Sequence, residues 1–160
     1  MEYELVPAYT HKAEVKEIFT EYTDMLIAGD SKFSEYLVIQ NYDDELEHLE
    51  HKYGMPEGRL YLLYDDGQLA GSVGLRKIDR ENCELKRLYV RPAFRGKGYG
   101  EMLTNRILAD AREAGYRYML LDTLPFLKTA IAMYERMGFY RVEQYNDSPI
   151  ETTIYMKYDL

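Results

Sequence analysis

The sequence predicts a mixed α/β domain: a mostly antiparallel central sheet of about seven strands with helices on both faces. Three observations predict it. Along the 160 residues the apolar pattern switches between a period of two and a period near 3.6, in the order β, α, α, β, β, β, α, β, α, β, β. The three strands between residues 59 and 90 are joined by turn sequences and make an antiparallel meander. Such a sheet is too long to be covered unless helices lie on both sides. The length suits one domain over residues 1–160, and 46% hydrophobic with 30% charged residues suits a soluble core and shell.

Residues 3–6 form a short strand ending at Pro7. Thr10 is placed to cap a helix over 11–28, in which Val15, Ile18, Phe19, Tyr22 and Met25 share a face. After a loop with Phe33, Tyr36, Leu37 and Ile39, Asn41 is placed to cap a second helix. Its acidic first turn (Asp43, Asp44, Glu45) and late Lys52 match the helix dipole, and Gly54 and Pro56 stop it. Arg59–Tyr64, the turn Asp65-Asp66-Gly67-Gln68, Leu69–Arg76, a turn at Asp79–Asn82 and Cys83–Val90 complete the meander. A helix over 98–114 carries Leu103, Ile107, Ala111 and Ala114 on one stripe. Tyr116–Asp122 is a strand, Leu127–Met137 a helix, and Phe139–Glu143 and Ile150–Tyr158 are the last strands.

Composition excludes several classes. No apolar run approaches the roughly 18 residues of a membrane span, and the acidic N-terminus does not read as a signal peptide. A single cysteine, Cys83, rules out an internal disulfide or thiolate cluster, so a cytoplasmic setting is expected. Residues 1–75 carry 16 acidic and 5 basic side chains, residues 76–160 carry 12 and 15. An acidic total without a basic stripe disfavours nucleic acid. The basic second half suits a phosphorylated ligand, and the acidic first half suits a cationic acceptor or a merely solvated surface. His48 and His51, one turn apart beside Glu47, resemble a metal pair, but a helix C-terminus accommodates histidine without metal, and no metal is expected.

The stretch from Glu84 to Ala114 carries the chemistry. A strand feeds Arg95-Gly96-Lys97-Gly98-Tyr99-Gly100, which opens a helix. Glycines allow close backbone approach, and a helix start offers unpaired N–H groups to an anion. The P-loop pattern fails, because Tyr99 rather than Lys follows Gly98. The dinucleotide pattern fails at Glu101, where a third glycine is needed, although Asp122 stands at a plausible distance for a ribose contact. The pattern [QR]-x-x-G-x-[GA] matches at every fixed position. With the preceding Leu88-Tyr89-Val90-Arg91-Pro92 and the later Ala130-Ile131-Ala132-Met133-Tyr134-Glu135-Arg136-Met137-Gly138-Phe139, the chain resembles the GCN5-related N-acetyltransferase (GNAT) superfamily over about residues 59–143.

The resemblance implies transfer of an acetyl group from acetyl-CoA to a primary amine, on a small molecule or a peptide, with a homodimer admitted. It implies a sheet splayed between the fourth and fifth strands. Backbone N–H groups of Arg95, Gly96, Lys97, Gly98, Tyr99 and Gly100 would hold the diphosphate, with the Arg95 and Lys97 charges near it. The main chains of Leu88 and Val90 would pair with the pantetheine arm, and an N–H near Val90 would meet the oxyanion. Many members carry asparagine seven residues before the helix tyrosine. Here that position is Leu127, and Thr123 or Thr129 is the candidate replacement.

The acceptor amine needs deprotonation. At pH 7 only about one lysine-like ammonium in 2,500 is neutral, a cost of about 4.6 kcal/mol. Glu84, eleven positions before Arg95, is the candidate base, and a raised pKa is expected of it. A salt bridge to Lys86 or Arg87 is its alternative role. Tyr134 is the candidate acid, or hydrogen-bond donor, at the thioester sulfur. Cys83 lacks an adjacent histidine and reads as core, so direct transfer in a ternary complex is expected over an acyl-enzyme. A non-catalytic acyl-CoA-binding or sensing module would keep the glycine loop, but would not need both Glu84 and Tyr134.

Overall fold

The computed structural model describes residues 2–160. Its seven strands form one sheet in the order β1-β2-β3-β4-β5-β7-β6. Strands β1 (Tyr3–Pro7), β2 (Arg59–Asp65), β3 (Gln68–Lys77) and β4 (Asn82–Val90) are antiparallel neighbours, as the meander sequence requires. Strand β5 (Tyr118–Thr123) runs parallel to β4, and β7 (Ile154–Asp159) inserts between it and β6 (Tyr140–Val142).

Helices cover both faces, and β2 shows why. Leu60 and Leu62 enter one core with Val15, Ile18 and Phe19 of α1 (Lys12–Gly29). Tyr61 and Leu63 enter the other with Leu103 and Ile107 of α5 (Tyr99–Glu113) and Tyr134 of α6 (Lys128–Met137). The period of two along β2 divides its side chains between two layers.

The β4–β5 pairing covers only Asn82, Cys83 and Glu84 opposite Tyr118, Met119 and Leu120. Beyond Glu84 the two strands part, and the facing backbone edge of β4 has no strand partner among the described residues. On its other edge, β4 carries a bulge opposite Ser72–Gly74, with Arg87 at φ 56°. An extra residue reverses the in–out parity of a strand. Leu85 before the bulge and Leu88 and Val90 after it therefore pack on the α5 side, while Tyr89 joins the α1 side.

Several expected boundaries move. The second helix is broken: α3 (Tyr42–Glu47) and α4 (Leu49–Tyr53) meet at His48, and the preceding loop contains α2 (Phe33–Ile39). The break lets Lys52 and Tyr53 fold back onto Glu45; in a straight helix they would lie about 10–12 Å further along the axis. The N-cap of α1 is His11 rather than Thr10, and Asn41 turns the chain at φ 56° without a side-chain cap. Ala114 is exposed at the end of α5. Tyr116 precedes β5 and bonds the Glu57 carbonyl through its hydroxyl at 2.8 Å. Residues 143–153 form a loop, held by Ser148, Ile150 and Thr153, before β7 starts at Ile154.

Candidate active site

A cleft of about 970 Å³ opens where β4 and β5 part. One side is made by β4, the loop from Phe94 to Gly100 and α6; the other by α1, α2 and the end of β5. The glycine loop forms its mouth. Gly96 and Gly98 have φ of 82° and 80°, a region that side chains enter at a cost, and a Cβ at either would meet no atom within 4 Å. Gly98 precedes α5 with no side-chain cap, so the first N–H groups of the helix have no carbonyl behind them. Together with the helix dipole they favour an anion there.

The two loop cations separate. Arg95 lines the cleft, its Nε donating to the Val90 carbonyl at 3.0 Å and its guanidinium lying over Tyr89. Lys97 is not part of the lining in this structure, where it donates to Asp65 at 3.0 Å. The geometry explains this, because the Tyr99 hydroxyl also donates to Asp65, at 2.7 Å, and ties the loop to the end of β2. Leu88, Val90, Gly96, Gly98, Tyr99, Gly100, Thr123 and Tyr134 all line the cleft, as do Leu127 and Thr129.

Tyr134 projects from α6 and is 5% exposed, and its hydroxyl has no hydrogen-bond partner among the described residues. Burial pushes its pKa up, so the phenol holds its proton at neutral pH.

Glu84 differs from expectation. It lies in a central strand, 2% exposed, and does not line the cleft. Its Oε1 accepts from Arg76 at 2.7 Å and its Oε2 from the Tyr145 hydroxyl at 2.5 Å, so the ion-pair partner is Arg76 rather than Lys86 or Arg87. Burial alone would raise its pKa. The charges of Lys86 and Arg76 and the Tyr145 hydrogen bond outweigh that and hold the carboxyl below the usual range. The expected upward shift is therefore reversed.

A second polar group meets the cleft, and most of it was not legible beforehand. Asp122 lines it at the end of β5, accepting from the Tyr36 hydroxyl and from Asn146 Nδ2, the latter at 2.7 Å. Lys86 and Gln40 lie nearby, with Lys86 Nζ donating to Gln40 Oε1 at 2.6 Å and standing 6.0 Å from the Tyr36 ring centroid. Behind them Arg87 grips Glu45 through two bonds of 2.8 Å. Only Asp122 had a sequence cue, as a strand-end carboxylate, while Asn146 comes from the 143–153 loop. The others depend on α2 and on the β4 bulge.

Two other candidates stand apart. Cys83 is fully buried, and burial pushes its thiol up to about 12, which makes a thiolate nucleophile unavailable at neutral pH. His48, Glu50 and His51 are exposed at the α3–α4 junction with ligand atoms within 4.8 Å of one another, and His51 pairs with Asp44 at 2.8 Å.

A parted parallel strand pair, with a glycine loop and helix N-terminus at its mouth, defines an acyltransferase of the nucleotide-thioester type. The sequence agrees: residues 15–139 match the model of the acetyltransferase (GNAT) family, and the chain belongs to that family. It is an acyltransferase. An uncharacterized N-acetyltransferase of Schizosaccharomyces pombe is 37% identical over 131 residues, 81% of this chain and 80% of that protein. One from Dictyostelium discoideum is 31% identical, covering 91% and 92%. The fold is shared with an acetyltransferase from Streptococcus agalactiae (TM-score 0.77, 21% identity, 99% and 98% covered). It is shared equally with the paia N-acetyltransferase of Thermoplasma acidophilum, solved in complex with coenzyme A (TM-score 0.77, 17% identity, both chains fully covered at 100%). Among the described residues no helix is long and apolar enough to cross a membrane.

Proposed function

We propose that this chain, as a single domain, transfers the acetyl group of acetyl-CoA directly to a primary amine within a ternary complex. The observation that carries the reading is the parting of β4 and β5 beyond Glu84, with the Gly96–Gly100 loop at one end of the gap and the unpartnered Tyr134 hydroxyl inside it. The residues fit the cofactor. The loop amides and Arg95 suit a diphosphate and the free edge of β4 suits the amides of pantetheine; Leu127, where the family resemblance leads one to expect asparagine, offers no amide, and Thr123 or Thr129 in the same lining is the proposed replacement. Acetyl-CoA supplies the activated thioester; the protein supplies position and charge. The steps use no metal. A cytoplasmic setting accords with the lone buried thiol of Cys83.

Tyr134 acts at the sulfur as a hydrogen-bond donor. A phenol ordinarily near 10, raised further here, against a thiol near 8.5 makes full proton transfer uphill by more than about 2 kcal/mol. A hydrogen bond that strengthens as the sulfur gains charge needs no such transfer. Replacing Tyr134 by Phe is expected to lower kcat about 10–100-fold with little change in acetyl-CoA affinity. Thiol release and calorimetry read the two quantities, and unchanged kcat would remove the role.

The acceptor's proton goes to a carboxylate. Asp122 lines the cleft and is the group proposed to meet the ammonium. Glu84, with both oxygens occupied, contributes its negative field and orients Tyr145. Asp122→Asn should cost about 100-fold in kcat/KM, and Glu84→Gln clearly less. The reverse order would return the base to Glu84, directly or through water.

A further inference from the structure

We propose that the acceptor amine also carries a carboxylate, bound by Lys86 and Gln40 on the floor of the cleft. The inference rests on the transferase reading above and names the substrate class for that site.

Lys86 is 7% exposed, yet it lines the cleft. An ammonium has three N–H donors, and here one goes to the neutral Gln40 Oε1 at 2.6 Å. Among the described residues no carboxylate lies within 4.0 Å of Lys86 Nζ. Glu84, whose carboxylate feels the Lys86 charge, has already given both oxygens to Arg76 and Tyr145. Gln40 also lines the cleft, and its Oε1 accepts a second bond, from Arg87 at 3.1 Å. Two donors on Oε1 fix the amide's orientation, and its Nε2 is then a buried N–H₂ without a partner. Buried donors are normally paired.

Two incompletely paired donors thus lie together at one cleft wall, the charged Lys86 and the Gln40 Nε2 buried just behind its surface. Arg87 is spoken for by Glu45 and adds background positive potential. Across the Tyr36 ring stands Asp122, with Tyr36 bonded to its carboxylate. The cleft therefore presents a cation over the face of Tyr36, with the Gln40 amide bonded to it, and a carboxylate at the Tyr36 hydroxyl. A zwitterionic acceptor matches that polarity: its ammonium to Asp122, its carboxylate to Lys86 and Gln40. A simple cationic amine would face Lys86 with like charge, whatever the acidic first half of the chain does at longer range.

The test compares each of a set of amino acids with its carboxamide and its decarboxylated amine, reading thiol release from acetyl-CoA. At least one amino acid is expected to exceed both of its neutral-ended analogues in kcat/KM by about tenfold or more. Lys86→Gln should bring that ratio close to one, mainly through the KM of the acid, and Lys86→Arg should retain part of it. Gln40→Leu should reduce the ratio as well, and it reads the same site if the lysine variant does not fold. Equal rates for acids, amides and amines, or a preference surviving Lys86→Gln, would overturn the carboxylate subsite and leave the transferase reading standing. Release with no amine of any kind would overturn both.

Discussion

Replacing Glu45 by alanine is expected to destabilise the protein by about 3–5 kcal/mol, the usual consequence of leaving a buried charge without its partner. Glu45 is 0% exposed. Its two oxygens accept from Arg87 Nε and an Arg87 terminal nitrogen, from Lys52 Nζ and from the Tyr53 hydroxyl, each at 2.8 Å. Removing it strands the Arg87 guanidinium, which is 3% exposed and sits in the left-handed bulge of β4. For a chain of this length the loss corresponds to a fall in Tm of very roughly 6–20 °C. Burial alone would raise the Glu45 pKa, but Arg87 and Lys52 outweigh it and hold the carboxyl well below the usual range. A depressed folded pKa stabilises the native state above the unfolded value of about 4.3, and that contribution is lost as pH falls through the folded value. The wild-type protein should thus lose stability on acidification below about pH 4.3, and the alanine variant should show a shallower loss there. Denaturant melts from pH 7 to pH 3 measure both. A variant within about 1 kcal/mol of wild type at pH 7 would mean that the four contacts are not a coupled buried network.

Gly98→Asp should weaken acetyl-CoA binding by about 30-fold or more, and Gly98→Asn far less. Gly98 has φ of 80°, and a Cβ there meets nothing within 4 Å, so neither side chain is excluded by space. Asn and Asp are the residues that tolerate the left-handed region best, which makes the pair a near-isosteric comparison of charge alone. A carboxylate about 4 Å from a phosphate costs about 4 kcal/mol at an effective dielectric of 20. Even half of that, after solvent screening, exceeds a factor of ten in affinity. Titration calorimetry on both variants reads the difference. Equal affinities would place the diphosphate away from this loop.

The sheet and its strand sequence were legible because they rest on local signals, whereas the splay was expected only from the family resemblance. The Asp66-Gly67 turn, the alternation in Arg59–Tyr64 and the glycine loop after Val90 each announce themselves within a few residues. The broken helix at His48 was not legible. Residues 42–53 have unbroken helical periodicity, and the break is imposed by Glu45 gathering Lys52, Tyr53 and Arg87, contacts that exist only in three dimensions. Glu84 shows the same limit. Its position in the strand was readable, but its pKa direction was not, since Arg76 and Tyr145 reach it across the sheet and from a distant loop. Lys86 and Arg87 looked like ordinary strand cations. The bulge that begins at Arg87 turns that residue inward, while Lys86, in register just before it, is buried under the elements that cover this face of the sheet. Tyr134 was found because an entire helical context surrounds it, whereas Tyr36 lies in a segment whose helix the sequence did not declare.

A crystal structure with saturating coenzyme A tests the central claim most directly. The diphosphate is expected within hydrogen-bonding distance of the amides between Gly96 and Glu101, with the pantetheine arm along the free edge of Leu88–Val90 and its sulfur beside Tyr134. A cleft that stays empty, or coenzyme A seated elsewhere on the chain, would contradict the account.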